Sequence, residues 1–276
     1  MIPAPFDYAR AESIDDAIRL LSEHEDAKIL AGGHSLLPLM KLRLARPSML
    51  VDVSRIGDLS YTRDDGDVVA IGALTRHHDV ANSEALHDLC PILPYAASLI
   101  GDPQVRHVGT IGGSVAHADP ASDLPSVLVA LDAEMVVRGP GGASRTVGAG
   151  DFFTGLFEPD LAHNEVLAEI RVPKTAGRGW SYLKFHRRSQ DWAMVGVAAL
   201  TGNGSAAAVA LTNMADRPVR AAGVEEALTG GADAAAAAER APEGTSPPSD
   251  AFASAEYRRE LSKVLVRRAL EEAQAR

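Results

Sequence analysis

The chain has 276 residues, of which 46% are hydrophobic, and its formal net charge is -10 at pH 7. This length predicts one large domain or two to three smaller ones, and the apolar content is sufficient for a core. The acidic balance, without any run of lysine or arginine, repels phosphate backbones, so we expect no nucleic-acid partner.

The longest apolar stretches, such as AMVGVAAL at 193–200, are too short to cross a bilayer, and the N-terminus lacks the pattern of a secretory signal. The single cysteine, Cys90, excludes an internal disulfide and a cysteine-ligated zinc or iron–sulfur centre built by this chain alone. We therefore expect no transmembrane segment, no metal site and a cytoplasmic location.

Residues 1–56 predict a small β–α–β unit. An amphipathic helix in ESIDDAIRLLSEH begins near Ser13, with Asp16 at the spacing of a capping box. AKILAG then predicts a buried strand that ends at Gly32 and Gly33. SLLPLMKLRLA predicts a short helix or turn, and MLVDVS a second strand.

Residues 57–175 predict a second unit that mixes strands and helices. The strands are expected in DVVAIGA, EMVVRG, RTVGAGDFF and NEVLAEIRVP. The helices are expected in LTRHHDVANSEAL, ILPYAASLIG and SDLPSVLVALDA. The composition changes after Pro173, which predicts a boundary near residue 175.

Residues 176–276 predict a third unit with paired strands in GWSYLKFHRRSQDWAMVGVAAL and a long C-terminal helix. An alanine-rich segment and the Pro/Ser-rich linker APEGTSPPSD lie between them. The helical periodicity predicts one buried stripe, formed by Tyr257, Leu261, Val264, Leu265 and Ala269. Glu260 and Lys263 are expected to pair on its outer face.

Two glycine-rich stretches, AGGHS at 31–35 and GTIGGSVAHADPASD at 109–123, match neither a Walker A motif nor the G-x-G-x-x-G spacing of a dinucleotide fold. Adjacent glycines after a strand let backbone N–H groups converge on an anion, with hydroxyls of Ser35, Thr110 and Ser114 beside them. A plain turn is the alternative for each stretch. Ser122 and Asp123 are either helix-capping residues or acceptors for ligand hydroxyls.

These two stretches, in order and spacing, resemble the FAD-binding medium subunit of molybdenum hydroxylases, of the type found in aerobic carbon monoxide dehydrogenases. The resemblance covers essentially the whole chain, including the opening PAPFDYARAESIDDAIRLL and the block YLKFHRRSQDWAMVGVAA. It implies an α+β, vanillyl-alcohol-oxidase-like (PCMH-type) FAD-binding fold of two subdomains. A C-terminal domain of the carbon monoxide dehydrogenase flavoprotein type, with a small antiparallel sheet and helices, follows them.

The resemblance also implies a set of FAD-binding residues. One side of the diphosphate would lie against the first stretch: Ile29, Leu30, Ala31, Gly32, Gly33, His34, Ser35 and Leu36. The other side would lie against the second: Thr110, Ile111, Gly112, Gly113 and Ser114. Further contacts are implied for Ile100, for Ser122 and Asp123 on the polar chain or ring edge, for Leu167 on the isoalloxazine, and for Lys184 as a cation near it. Trp192 either stacks on the ring or belongs to the core.

On this resemblance the chain is an electron-transfer subunit with no catalytic acid or base of its own. Its partners would be a large molybdopterin-binding subunit and a small subunit with two [2Fe–2S] clusters, assembled as a dimer of heterotrimers. It would be cytoplasmic, or peripheral at the inner membrane through the complex. Two alternatives remain: a stand-alone flavin oxidoreductase of the same fold, and a flavin-free assembly subunit.

Overall fold

The structure is a computed structural model that describes residues 2–202, 204 and 206–276. Across these ranges the strands form sheets of three, five, four and two members, with helices against them, which confirms the predicted α+β class. The strands are β1 (Asp7–Arg10), β2 (Lys28–Leu30), β3 (Met49–Asp52), β4 (Thr62–Asp65), β5 (Val68–Gly72), β6 (Glu134–Arg138), β7 (Ser144–Gly148), β8 (Phe153–Gly155), β9 (Glu158–Pro159), β10 (Val166–Pro173), β11 (Gly179–Phe185), β12 (Val195–Thr201), β13 (Ala208–Thr212) and β14 (Val219–Arg220). The helices are α1 (Ile14–Glu23), α2 (Leu36–Lys41), α3 (His77–Ala81), α4 (Glu84–Leu89), α5 (Ile92–Ser98), α6 (Pro103–Arg106), α7 (Ile111–His117), α8 (Asp123–Ala130), α9 (Ala149–Phe152), α10 (Ala222–Thr229), α11 (Ala234–Ala238) and α12 (Ala255–Ala275).

The three-stranded sheet has the order β1-β3-β2, and both of its pairings are parallel. Helix α1 connects β1 to β2, and the side chain of Ser13 accepts a hydrogen bond from the Asp16 N–H at 3.1 Å, as its capping position predicts. Sequence analysis missed β1 because its four residues are half-buried or exposed, so they carry no apolar alternation.

The five-stranded sheet has the order β4-β5-β10-β6-β7 and contributes β5 and β10 to a core shared with α5, α7 and α8. One prediction here is wrong in part: the strand in RTVGAGDFF ends at Gly148, and Ala149–Phe152 form a helical turn. Phe152 and Phe153 are 0% and 2% exposed. Neighbouring side chains of one strand point to opposite faces, so the turn is what lets both rings enter the core.

The antiparallel sheet β11-β12-β13-β14 lies between two layers of helices. One face shares the core of α5 and α8, and the other packs on α10, α11 and α12. This sandwich carries β11, and with it Lys184, against the end of α8 that holds Asp123.

The buried stripe of α12 is rotated from the predicted one. Leu265 and Ala269 are buried as expected, but Tyr257 and Val264 are 47% and 39% exposed. Arg258 is 1% exposed instead, donates to the Met194 carbonyl and pairs with Asp250 at 2.6 Å. Arg258 can be buried in this stripe because a backbone carbonyl and a carboxylate accept its donors, and periodicity does not reveal such partners. The Glu260–Lys263 pair is confirmed at 3.0 Å.

The sequence predicts no transmembrane segment. In the described part of the chain, every helix is too short or too polar to cross a bilayer.

Candidate cofactor-binding cleft

The two glycine-rich segments meet at one cleft of about 230 Å³. The cleft is lined by Ala31, Gly32, Ser54, Leu74, Arg76, Val108 and Thr110. A Cβ built at Gly32 would collide with the Val108 carbonyl oxygen and lie 2.8 Å from the Cα of Gly109. The backbones of the two segments are therefore in direct contact, and only glycine fits at residue 32.

The first segment presents unpaired backbone donors. Gly33 has φ of 74°, and its carbonyl accepts the Leu37 N–H at 3.0 Å, which turns the chain from β2 into α2. The backbone N–H groups of Gly32, Gly33, His34 and Ser35 have no hydrogen-bond acceptor among the residues described. Clustered free amides of this kind suit an anion, which favours the binding interpretation of this stretch over a plain turn.

The second segment is neither a plain turn nor a row of free amides. Gly112 and Gly113 lie in the first turn of α7, and Thr110 caps that turn by accepting the Gly113 N–H at 3.1 Å. The N–H of Ile111 donates to Thr75 O at 2.9 Å, that of Gly112 to Ala73 O at 2.8 Å and that of Ser114 to Thr110 O at 3.1 Å.

These four amides already have acceptors within the chain, so the expectation that they converge on an anion is wrong. Gly112 is required by close packing, since its Cβ would lie 2.5 Å from that of Ala73. Thr110, whose own N–H has no acceptor within the described ranges, is the member of this segment that faces the cleft.

Asp123 and Lys184 form a buried ion pair, and neither interpretation of Asp123 anticipated it. Lys184 Nζ lies 2.8 Å from Asp123 Oδ2, and the Tyr182 hydroxyl donates to Asp123 Oδ1 at 2.6 Å. Both charged side chains are 6% exposed. Burial raises the pKa of Asp123, while Lys184 and Tyr182 oppose that shift. Ser122 occupies the N-cap of α8 without a side-chain capping bond.

Ile100 and Trp192 are each adjacent in the chain to residues that line a second cleft. Lys184 Nζ also donates to Leu99 O at 3.2 Å, which fastens β11 beside Ile100. Residues 101, 102 and 105 line this second cleft together with residues 188–191. Trp192 follows in the β11–β12 connection and is 56% exposed, so it is not a core tryptophan. Stacking on the ring remains a prediction for it.

Leu167 is connected to the second segment through Ala73. It is 6% exposed on β10, and the carbonyl of the next residue, Ala168, accepts the Ala73 N–H at 2.9 Å. The Ala73 carbonyl in turn accepts the Gly112 N–H. Two successive backbone hydrogen bonds through Ala73 therefore connect the residue after Leu167 to Gly112, in the first turn of α7.

Sequence reasoning missed four cleft residues: Ser54, Leu74, Arg76 and Val108. Ser54 follows β3 of one sheet, Leu74 and Arg76 follow β5 of another, and Val108 lies between α6 and α7, so only the assembled topology brings them together. Arg76 stands at the N-cap of α3, four residues after the end of β5, and that position is also typical of a surface helix end.

The cleft fits the diphosphate of FAD. The first segment carries four free amides and lines the cleft with Ala31 and Gly32, and Arg76 also lines it. No carboxylate lines the cleft in the part of the chain that is described. Amides and a guanidinium are the donors that phosphate oxygens prefer.

Comparison with known proteins agrees with this geometry. Residues 4–175 match the family described as the FAD binding domain in molybdopterin dehydrogenase, and residues 180–273 match the CO dehydrogenase flavoprotein C-terminal domain. The carbon monoxide dehydrogenase medium chain of Hydrogenophaga pseudoflava is 43% identical and is matched over 100% of this chain and 99% of its own length. The glyceraldehyde dehydrogenase medium chain of Sulfolobus acidocaldarius is 39% identical, over 99% of each chain.

A solved structure gives the same result. Carbon monoxide dehydrogenase from Hydrogenophaga pseudoflava, in a form that lacks the Mo-pyranopterin moiety, superposes with a TM-score of 0.96 at 43% identity. The match covers 100% of this chain and 99% of that chain. The predicted fold and the FAD cofactor are thereby confirmed, and the chain belongs to the FAD-binding medium subunits of the molybdenum hydroxylase family of oxidoreductases.

Proposed function

We propose that this chain takes electrons from [2Fe–2S] clusters on a small partner subunit and passes them, through its bound FAD, to an external acceptor. The observation that carries the proposal is that the two glycine-rich segments meet at one cleft and that the first segment carries four free amides. The full-length match to medium chains supports the same role.

Residues of the first segment would hold the diphosphate through their N–H groups, and Thr110 would add a donor from the opposite wall. Ile100, Leu167 and Trp192 would contact the flavin ring, and Ser122 its polar chain or edge. When bound, FAD supplies both one- and two-electron redox chemistry, which lets it accept electrons singly and release them in pairs. The chain's own residues bind the cofactor, orient it and shield it from water.

Lys184 would act on the flavin through its pair with Asp123. A lone cation beside the ring would favour the reduced, anionic form and so raise the potential. Asp123 lies 2.8 Å away and is as deeply buried as Lys184. A group farther away therefore feels the weaker potential of a dipole and not that of a full positive charge. The effect on the potential should therefore be smaller than that of a free lysine.

Substrate oxidation would take place on another polypeptide. The matched medium chains come from enzymes named for carbon monoxide and for glyceraldehyde, although they align with this chain over nearly the same length. We therefore assign substrate choice to a large molybdopterin-binding partner, and propose a dimer of heterotrimers, cytoplasmic or attached peripherally at the inner membrane. Within this chain we place the domain boundaries after residues 56 and 175.

The experiment is to purify the full chain alone and with its two partner subunits, and to follow flavin absorbance after adding substrate without oxygen. We expect a yellow chain that substrate bleaches only when both partners are present. Bleaching of the isolated chain would instead support a stand-alone flavin oxidoreductase. A colourless protein in both preparations would support a flavin-free assembly subunit.

A further inference from the structure

We propose that Arg76 binds the cofactor's phosphates directly, as the cationic residue of the cleft. This proposal rests on the FAD site proposed above and adds to it a residue that lies outside both glycine-rich segments. Three features of Arg76 support it: its position in the cleft wall, its positive charge and its unpaired N–H donors.

The backbone of Arg76 is fastened to the second segment on both sides. The Ile111 N–H donates to Thr75 O at 2.9 Å, and the His77 N–H donates to Gly109 O at 2.9 Å. Arg76 and Thr110 are thus directly paired, as an isolated antiparallel bridge. The side chain therefore starts from a fixed point at the wall of the cleft.

The guanidinium also anchors the segment that Gly32 touches. Its Nη1 donates to His107 O at 2.6 Å and reaches Val108 O at 3.4 Å. The Val108 carbonyl is the same group that would collide with a side chain at residue 32. Arg76 thus lies where the two segments converge, and it still lines the open space between them.

The remaining donors of Arg76 are free. Across residues 2–202, 204 and 206–276, its Nε and Nη2 have no hydrogen-bond acceptor, and no carboxylate lies within ion-pair distance. Other arginines in the described ranges are held by carboxylates; Arg145, for example, bonds both Glu165 and Asp160 at 2.7 Å. An unpaired guanidinium beside free amides is suited to a phosphate ligand.

The first segment and Arg76 offer different kinds of donor to a phosphate. The first segment offers neutral N–H donors, and Arg76 offers a positive charge with a planar set of donors. Among the cleft residues in the described ranges, Arg76 is the one with a charged side chain. A ligand with two phosphate charges would lose a major part of its attraction without it.

The test is a fluorescence titration of the full apo chain with FAD at several salt concentrations, for wild type, Arg76→Gln and Arg76→Lys. The matched control is Arg267→Gln, which removes the same charge from an exposed site on α12 whose nearest carboxylate is 3.9 Å away. Loss of a charged hydrogen-bond partner is expected to weaken FAD binding about 10- to 100-fold in Arg76→Gln.

The salt dependence of FAD affinity shows whether Arg76 acts through its charge. Wild type, Arg76→Lys and the control should bind FAD less tightly as salt rises, and Arg76→Gln should show a flatter dependence. Equal affinity of Arg76→Gln and wild type would overturn the proposal. So would weaker binding with an unchanged salt slope, because Arg76 would then act only by holding the His107 and Val108 carbonyls. If the wild-type chain bound no FAD, the proposed function would fail as well.

Discussion

Lys184 Nζ and Asp123 Oδ2 lie 2.8 Å apart in the interior, although 61 residues separate them in the chain. One belongs to the C-terminal sheet and the other to the first turn of α8, so the pair joins two parts of the fold. Its second anchor is the Tyr182 hydroxyl, which is also bonded to Asp123.

Replacing Lys184 by methionine should destabilise the chain by about 3–5 kcal/mol, because a buried carboxylate would lose its cation. The double variant Lys184→Met/Asp123→Asn should recover much of that loss, since it leaves no unpaired charge. Urea unfolding of the two single variants and the double variant measures the coupling. Strictly additive losses would show that the pair contributes nothing.

The same substitution should make stability depend on pH. Burial raises the pKa of Asp123, and without Lys184, which gives the largest opposing effect, that pKa should rise further above the ordinary value. An acid with a raised pKa in the folded state loses stability as the pH rises through that pKa. The deficit of Lys184→Met relative to wild type should thus be larger near pH 8 than near pH 5. An equal deficit at both would contradict the assignment.

His77 should make the fold sensitive to acid. Burial lowers its pKa from 6.5 to about 4, with His34 and Arg106 adding to the shift. Because the unfolded chain binds the proton more readily, stability is complete above pH 6.5 and falls as the pH drops toward 4. The loss should reach up to about 3 kcal/mol, and His77→Gln should remove it. Unfolding curves with the same pH slope in both proteins would argue against this role.

Gly32→Ala should separate the two segments of the cleft. Its methyl group would meet the Val108 carbonyl and the Gly109 backbone, which cannot move aside as a side chain would. We expect FAD affinity to fall by about tenfold or more, equivalent to about 1.4 kcal/mol. The control is Gly148→Ala, where an added Cβ meets nothing within 4 Å. Similar FAD binding by both variants would show that the segments need not touch.

Thr110→Val should weaken the start of α7. The hydroxyl that accepts the Gly113 N–H at 3.1 Å would be lost, and a missing N-cap costs about 1 kcal/mol. Thr110→Ser keeps the acceptor and should unfold at nearly the wild-type denaturant concentration. If serine and valine were equally destabilising, the threonine methyl group and not the cap would be responsible.

Local patterns predicted most of the regular structure. Helix α1 follows from its cap and its buried Ala17, Ile18 and Leu21, and β10 from a run of apolar residues closed by Pro173. Both signals lie within about ten residues of sequence, where periodicity and capping act. Strand β1 has no such signal, because only its pairing with β3 places it in a sheet.

Sequence analysis named glycines of the cleft, Asp123 and Lys184, but it did not name Arg76 and did not predict the ion pair between Asp123 and Lys184. Gly32 and Gly33 were named because a glycine pair often indicates an unusual backbone conformation or a close approach of another group. The role of Arg76 depends on carbonyls 31 and 32 residues away, and that of Asp123 on a lysine in another sheet. Partners so distant in sequence leave no local pattern, and the same reason explains the buried Arg258 on α12.

The most direct test of the central claim is a crystal structure of the chain with bound FAD. We predict that the diphosphate lies in the cleft, with its oxygens within hydrogen-bond distance of the N–H groups of Gly32 to Ser35 and facing Thr110. A diphosphate located anywhere else, with these amides turned toward solvent, would contradict the account.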